Sequence, residues 1–78
     1  MNRRKEWKKL LSIANADLKL YGYEIKIIPD GMGAYDCDIY KDGELDDNYA
    51  GCYYEDELDE LVDDAWYFVK SEKCDVML

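Results

Sequence analysis

The chain has 78 residues, a net charge of −9 and no histidine. Its length leaves room for a single core, because domains of this size bury only about 60% of the surface that the unfolded chain exposes. Its hydrophobic fraction of 49% exceeds that of disordered chains, so one folded domain over residues 1–78 is predicted. No apolar run approaches the roughly 18 residues that span a bilayer, and no signal peptide is recognisable. We therefore expect a cytoplasmic protein without membrane contact.

The cysteines indicate a reducing compartment. Cys37, Cys52 and Cys74 are odd in number and form no Cys-x-x-Cys pair, which does not suit a disulfide framework. Each is expected to be a free thiol of minor structural importance.

The first periodic segment predicts a helix from about Arg3 to Leu20, followed by Gly22 as a left-handed C-cap. Its apolar residues recur at the helical spacing i, i+3, i+4, i+7 and i+11; they are Trp7, Leu10, Leu11, Ala14 and Leu18.

Two strands are predicted next, because the period changes to two. In the first strand Tyr23, Ile25 and Ile27 alternate with polar residues, and Pro29-Asp30-Gly31 turns the chain. In the second strand one face is apolar and the other polar. The apolar face carries Tyr35, Cys37 and Ile39, and the polar face carries Asp36, Asp38 and Tyr40.

A hairpin turn at Lys41-Asp42-Gly43 leads to the third strand, and its length decides the register. A two-residue turn would place Asn48 and Asp46 opposite the apolar Cys37 and Ile39. A three-residue loop places Leu45 opposite Ile39 and Tyr49 opposite Tyr35, which buries more apolar surface. The second register is preferred, although it puts Asp47 opposite Cys37.

The last element is a second helix, which opens at Glu55-Asp56-Glu57 and runs to about Lys73. Acidic residues in its first turns are stabilised by the helix dipole. Its apolar residues repeat the spacing of the first helix and are Leu58, Leu61, Val62, Ala65 and Val69.

The predicted fold is α+β, in the order α-β-β-β-α, with two helices covering one face of a three-stranded antiparallel meander. Parallel helices would bring the acidic start of the second helix beside the basic start of the first, which carries Arg3, Arg4, Lys5, Lys8 and Lys9. A charge network between the two starts is one interpretation of these basic residues, and a basic contact site for the partner is the other. The predicted core comprises Leu11, Ile25, Ile27, Ile39, Leu61 and Val62.

Catalysis is not expected. Without histidine the chain lacks the commonest general base and a common metal ligand, and no cysteine lies beside a base or at a helix N-terminus. A calcium-loop pattern starts at Asp38, but Tyr40 and Tyr49 occupy ligand positions. We therefore predict no catalytic residues, no metal and no cofactor.

The acidity is local, and it suggests a binding surface. Residues 30–64 contain 14 carboxylates and one lysine, a net charge of −13, against +4 for the rest of the chain. A solubilising surface is the simplest explanation, but exposed tyrosines among the acids are typical of interfaces. The candidate partner-binding residues are Asp36, Asp38, Tyr40, Asp46 and Tyr54 on the outer sheet face, and Asp56, Glu60, Asp63, Asp64 and Tyr67 on the second helix.

Such a surface imitates a nucleic-acid backbone. We expect a protein partner with a basic, nucleic-acid-binding surface and no direct nucleic-acid binding. The chain itself would be a monomer or a small homo-oligomer.

The element order resembles the double-stranded-RNA-binding domain, with one inversion. That family grips phosphates with lysines at the start of its last helix, where this chain has Glu55, Asp56, Glu57 and Asp59. Small size, acidity and the lack of catalytic residues are similar to the anti-CRISPR and anti-restriction proteins of phages. That resemblance implies an inhibitor which occupies the nucleic-acid site of a host nuclease complex.

A second resemblance covers Tyr23 to Lys73. The strand, the turn Pro29-Asp30-Gly31 and the helix opening at Glu55 are similar to the partial ribonuclease-H-like domain of HicB-type antitoxins. It implies a module that neutralises a partner toxin, and it stands as the alternative. An acidic domain without mimicry is the third interpretation.

Overall fold

The computed structural model describes residues 3–74, apart from the side chains of residues 3–5 and 50–52. Two helices pack on one face of a three-stranded antiparallel sheet of order β1-β2-β3, so the predicted α+β meander is confirmed. The main elements are α1 (Arg3–Leu18), β1 (Tyr23–Pro29), β2 (Ala34–Lys41), β3 (Glu44–Tyr54) and α2 (Leu58–Phe68).

Short helical turns extend both helices. A 3₁₀ turn, Lys19–Tyr21, follows α1, and Gly22 ends it in the left-handed conformation with φ +84°, as predicted. A 3₁₀ turn, Glu55–Glu57, precedes α2, and a π-helical turn, Val69–Lys73, follows it. Within residues 3–74, no helix is both long enough and apolar enough to cross a bilayer.

The core lies between the helices and the inner face of the sheet. All five apolar residues predicted for the second helix are buried, and Ala14, Leu18, Ile25, Cys37 and Ile39 complete the cluster. Leu11 and Ile27, which were predicted as core residues, are only partly buried against it. Cys37 is fully buried, so this thiol is part of the core rather than structurally minor.

The predicted hairpin register is wrong. Lys41 pairs with Glu44, so the turn has two residues, and Asp42 and Gly43 both have positive φ, 52° and 86°, as a type I′ turn requires. A bulge in β3 then shifts the pairing by one residue.

The bulge moves the misfit on the inner face from Cys37 to Ile39, which lies opposite Asp47. Tyr40 pairs with Leu45, but Ile39 pairs with Asp47, so Tyr49 instead of Asp47 lies opposite Cys37. Leu45, which was predicted to face inward, is 62% exposed. A second irregularity, between Cys37 and Tyr35, brings Tyr53 opposite Tyr35.

The two helices run side by side in the same direction. Near their starts, Glu6, Lys9 and Asp59 line a common groove, and near their ends Asp17 of α1 bonds to Trp66 and Lys70. The acidic start of α2 therefore lies beside the start of α1, as parallel packing predicted. The side chains of Arg3, Arg4 and Lys5 lie outside the described residues.

Candidate interaction surfaces and the groove between the helices

The ten predicted contact residues do not form one surface. Asp36, Asp38 and Tyr40 alternate with the buried residues of β2 and therefore lie on the outer face of the sheet, where Tyr54 is 52% exposed. The helices cover the opposite face. The exposed side chains of the α2 segment therefore lie on the other side of the molecule; they are Asp56, Glu60, Asp63, Asp64 and Tyr67.

Asp46 belongs to neither surface, which corrects its predicted place on the outer sheet face. The bulge leaves it without a partner on β2, and its carboxylate lies 2.9 Å from Nζ of Lys73. Asp47 lies 3.0 Å from the same Nζ. Lys73, at the end of the helical layer, therefore forms ion pairs with two acids of the edge strand β3. Its hydrogen bond to Asp47 lowers the pKa of that carboxyl below the ordinary value.

The outer sheet face is only partly negative. Lys26 of β1 pairs across from Asp38, and its ammonium lies 4.6 Å from the ring centre of Tyr40. Asn48 donates a hydrogen bond of 2.8 Å to Oδ1 of Asp38. The ammonium of Lys26 and the side-chain amide of Asn48 therefore already contact Tyr40 and Asp38 on this face.

The acidic stripe of α2, defined as Asp56 in the 3₁₀ turn before the helix and Glu60, Asp63, Asp64 and Tyr67 within it, has a different character. Its members are separated by i, i+4, i+7, i+8 and i+11, the spacing that keeps side chains on one side of a helix. No basic residue occurs from position 55 to 69. The apolar stripe of the same helix faces the core, so the amphipathic pattern directs the acids into solvent.

A polar cluster that the sequence analysis missed joins the ends of the two helices. Oδ2 of Asp17 accepts hydrogen bonds of 2.8 Å from Nε1 of Trp66 and 2.8 Å from Nζ of Lys70. Lys70 is buried, and its ammonium lies 5.0 Å from the ring centre of Tyr21. Lys70 is the single basic residue between positions 42 and 72. This isolation in an acidic segment is the only feature of the sequence that could have indicated a special role for Lys70.

Each pKa in this cluster shifts toward the charged form. The hydrogen bond from Lys70, and then that from Trp66, lowers the pKa of Asp17. The same bond to Asp17 raises the pKa of Lys70. The pair therefore stays ionised, as a charge pair with direct hydrogen bonds should.

An open groove of about 490 Å³ lies at this cluster between α1 and α2. Its lining combines carboxylates with aromatic rings; the residues are Asp17, Asp63, Asp64, Trp66, Tyr67 and Lys70. Beside it, the hydroxyl of Tyr53 donates a 2.7 Å hydrogen bond to Oδ2 of Asp64. Burial and this bond raise the pKa of Tyr53.

The described thiols do not have the properties of nucleophiles. Burial raises the pKa of Cys37 to about 12, and burial also raises the pKa of Cys74. Since the thiolate is the reactive form, both groups are held in the unreactive state at neutral pH. Among the side chains that the structure describes, no group of three His, Cys, Asp or Glu is placed to hold a metal ion.

Compared with known proteins, the chain matches no family model, and it has no significant match among curated proteins or solved structures.

Proposed function

We propose that this chain is a non-enzymatic binding protein whose acidic stripe on α2 occupies the nucleic-acid-binding cleft of a partner protein. The partner class that we propose is a host defence nuclease complex, of the CRISPR-Cas or restriction type. The chain would act as an inhibitor, because a cleft filled by carboxylates cannot take up DNA or RNA.

The observation that carries this proposal is the unbroken acidic stripe. An i, i+4 step advances about 6 Å along an α-helix, so Glu60 and Asp64 present negative charge about one turn apart on α2, and Asp56 adds a charge from the 3₁₀ turn that precedes it. A basic cleft that neutralises phosphates would neutralise such carboxylates by the same Coulombic attraction. Attraction between opposite charges also accelerates association at low salt.

The outer sheet face supports the proposal less well. Lys26 and Asn48 already engage Tyr40 and Asp38 there, so a basic partner would have to displace them. We therefore place the main contact on α2 and treat the sheet face as its matched comparison.

Displacement of nucleic acid tests the proposal. The chain is added to purified CRISPR-Cas and restriction complexes bound to fluorescent DNA, and the release of DNA is followed by anisotropy. We expect release from at least one complex, and weaker release as salt rises, because charges are screened over about 10 Å at 0.1 M. If the chain displaces DNA from none of these complexes, the proposed partner class is wrong.

Two double variants locate the contact. Asp56→Lys with Asp63→Lys reverses two charges on α2, and Asp36→Lys with Asp38→Lys reverses two charges on the sheet. We expect the first pair to abolish displacement and the second to reduce it only slightly. Displacement that survives both pairs and is independent of salt would overturn nucleic-acid mimicry.

A further inference from the structure

We propose that the groove between α1 and α2 binds an arginine side chain of the partner protein. This proposal rests on the proposed function and makes it more specific, because it names the residue type that the acidic surface selects. It concerns the groove lined by Trp66, Tyr67, Asp63 and Asp64, beside the Asp17–Lys70 pair.

The groove has a rigid aromatic wall. The indole N–H of Trp66 is fixed by its 2.8 Å hydrogen bond to Asp17, so this partly exposed ring is held in one orientation. Tyr67 lies next to it on α2 and is 57% exposed. Planar guanidinium groups stack on such faces, which ammonium groups cannot do.

The groove also has carboxylates that can accept hydrogen bonds. Within the described part of the chain, the side-chain carboxylate of Asp63 has no hydrogen-bond or ion-pair partner. Asp64 receives the Tyr53 hydroxyl on Oδ2, which leaves Oδ1 as a further acceptor. A guanidinium has five N–H donors in a fixed plane, so it can bond to carboxylates while one face stacks on a ring.

Lys70 shows that a cation fits this environment. Its ammonium bonds to Asp17 and lies 5.0 Å from the ring centre of Tyr21. Because Lys70 neutralises Asp17, the net charge that remains in the groove is that of Asp63 and Asp64. An incoming cation is therefore attracted to the unoccupied part of the groove.

Titration with a hexaarginine peptide tests the groove without a known partner. The readout is the two-dimensional NMR spectrum of the ¹⁵N-labelled protein, in particular the indole N–H signal of Trp66. A Trp7→Phe variant assigns that signal, because the chain has two tryptophans. We expect a saturable shift of the Trp66 signal, and weaker binding of hexalysine by at least about fivefold, since only arginine stacks.

Four single variants separate the groove from general acidity. Asp63→Asn and Tyr67→Ala change the groove, whereas Asp36→Asn and Tyr54→Ala make the same chemical changes on the sheet face. Loss of at least about fivefold in hexaarginine affinity is expected for each groove variant and less than about twofold for each sheet variant. Asp63, Tyr67 and Tyr54 are exposed and Asp36 is half-buried, so a melting curve of each variant checks that the fold is retained.

The outcomes distinguish this proposal from the proposed function. If the two peptides bind equally and Asp63→Asn matches Asp36→Asn, the arginine groove is wrong, while an acidic surface for basic partners remains supported. If neither peptide binds at low salt, both proposals are overturned. A shift confined to residues of the sheet face would also contradict the groove.

Discussion

The carboxamide of Asn15 pairs with both backbone polar groups of Ile25. Its Nδ2 lies 3.0 Å from the carbonyl oxygen of Ile25, and its Oδ1 lies 2.8 Å from the amide nitrogen. Asn15 thus satisfies the outer edge of β1 in the way that a further strand would. An edge covered in this manner is less available for pairing with another chain, and α1 is fixed to the sheet at the same point.

Replacing Asn15 with alanine should therefore destabilise the fold. The change leaves a partly buried N–H and C=O without partners, which costs about 1–3 kcal/mol. Denaturant melts measure the loss, and amide hydrogen exchange of Ile25 should accelerate. Asn48→Ala is the matched control, because Asn48 is an exposed residue whose removal should cost less. Equal losses would contradict the special position of Asn15.

Truncation of Leu61 should have a large effect. Leu61 is fully buried in the core, so Leu61→Ala should lower the free energy of unfolding by about 2–5 kcal/mol. Leu45→Ala is the same chemical change at a residue that is 62% exposed, and it should stay within about 0.5 kcal/mol. A loss for Leu45→Ala as large as that expected for Leu61→Ala would contradict the hairpin register that exposes Leu45, and a loss of less than about 1 kcal/mol for Leu61→Ala would contradict its place in the core.

The sequence predicts the helices and strands well, because buried apolar residues recur with the period of a helix or of a strand. The apolar stripe of α2, including Leu58 and Val69, is recognisable from spacing alone, and every predicted member is buried. The register of the hairpin was not predictable in this way. Alternation is interrupted at a bulge, and the pairing of Asp46 and Asp47 with Lys73 joins segments that are distant in sequence.

The candidate site was predictable only in part. The acidic stripe follows from helical spacing, so the exposure of Asp63 and Tyr67 could be foreseen. The cluster of Asp17, Trp66 and Lys70 could not, because its members come from two helices and local periodicity does not tell which residues of two helices meet. The same holds for Asp46, whose position depends on the bulge.

Two glycines with nearly equal φ should respond differently to alanine. Gly22 and Gly43 have φ of +84° and +86°, a conformation that costs an alanine roughly 1–2 kcal/mol. A Cβ on Gly43 would meet nothing within 4 Å, whereas a Cβ on Gly22 would lie 2.7 Å from Oδ1 of Asp42. Gly22→Ala should therefore be the more destabilising change in denaturant melts.

A double-mutant cycle checks whether contact with the Asp42 carboxylate causes the extra cost of Gly22→Ala. Asp42→Gly removes the carboxylate that the new Cβ would meet, and it also suits the positive φ of position 42. In that background the cost of Gly22→Ala should fall toward that of Gly43→Ala, because the remaining neighbour, Nζ of Lys41, lies 3.4 Å from the new Cβ. If the cost does not change, the contact with Asp42 is not its cause.

The Asp17–Lys70 pair should make stability depend on pH in the acid range. Hydrogen bonds from Lys70 and Trp66 hold the folded-state pKa of Asp17 below the ordinary value of 3.8. A carboxyl with a lowered folded-state pKa stabilises the fold fully above its unfolded pKa, and that contribution is lost as the pH falls through the folded value. The parent protein should therefore lose this stabilisation below about pH 4.

Asp17→Asn keeps the shape of the side chain but removes its charge, so it tests this linkage. At pH 7 the variant should melt at a lower temperature than the parent, because buried Lys70 loses its charged partner. Below about pH 4 the difference should shrink as the pH falls, since the parent binds a proton at Asp17 as the pH passes through its lowered folded-state pKa. The lowered pKa of Asp47 acts in the same window but is common to both proteins and cancels in the comparison. A difference in melting temperature that stays constant from pH 7 to pH 2 would mean that the charge of Asp17 does not stabilise the junction of α1 and α2.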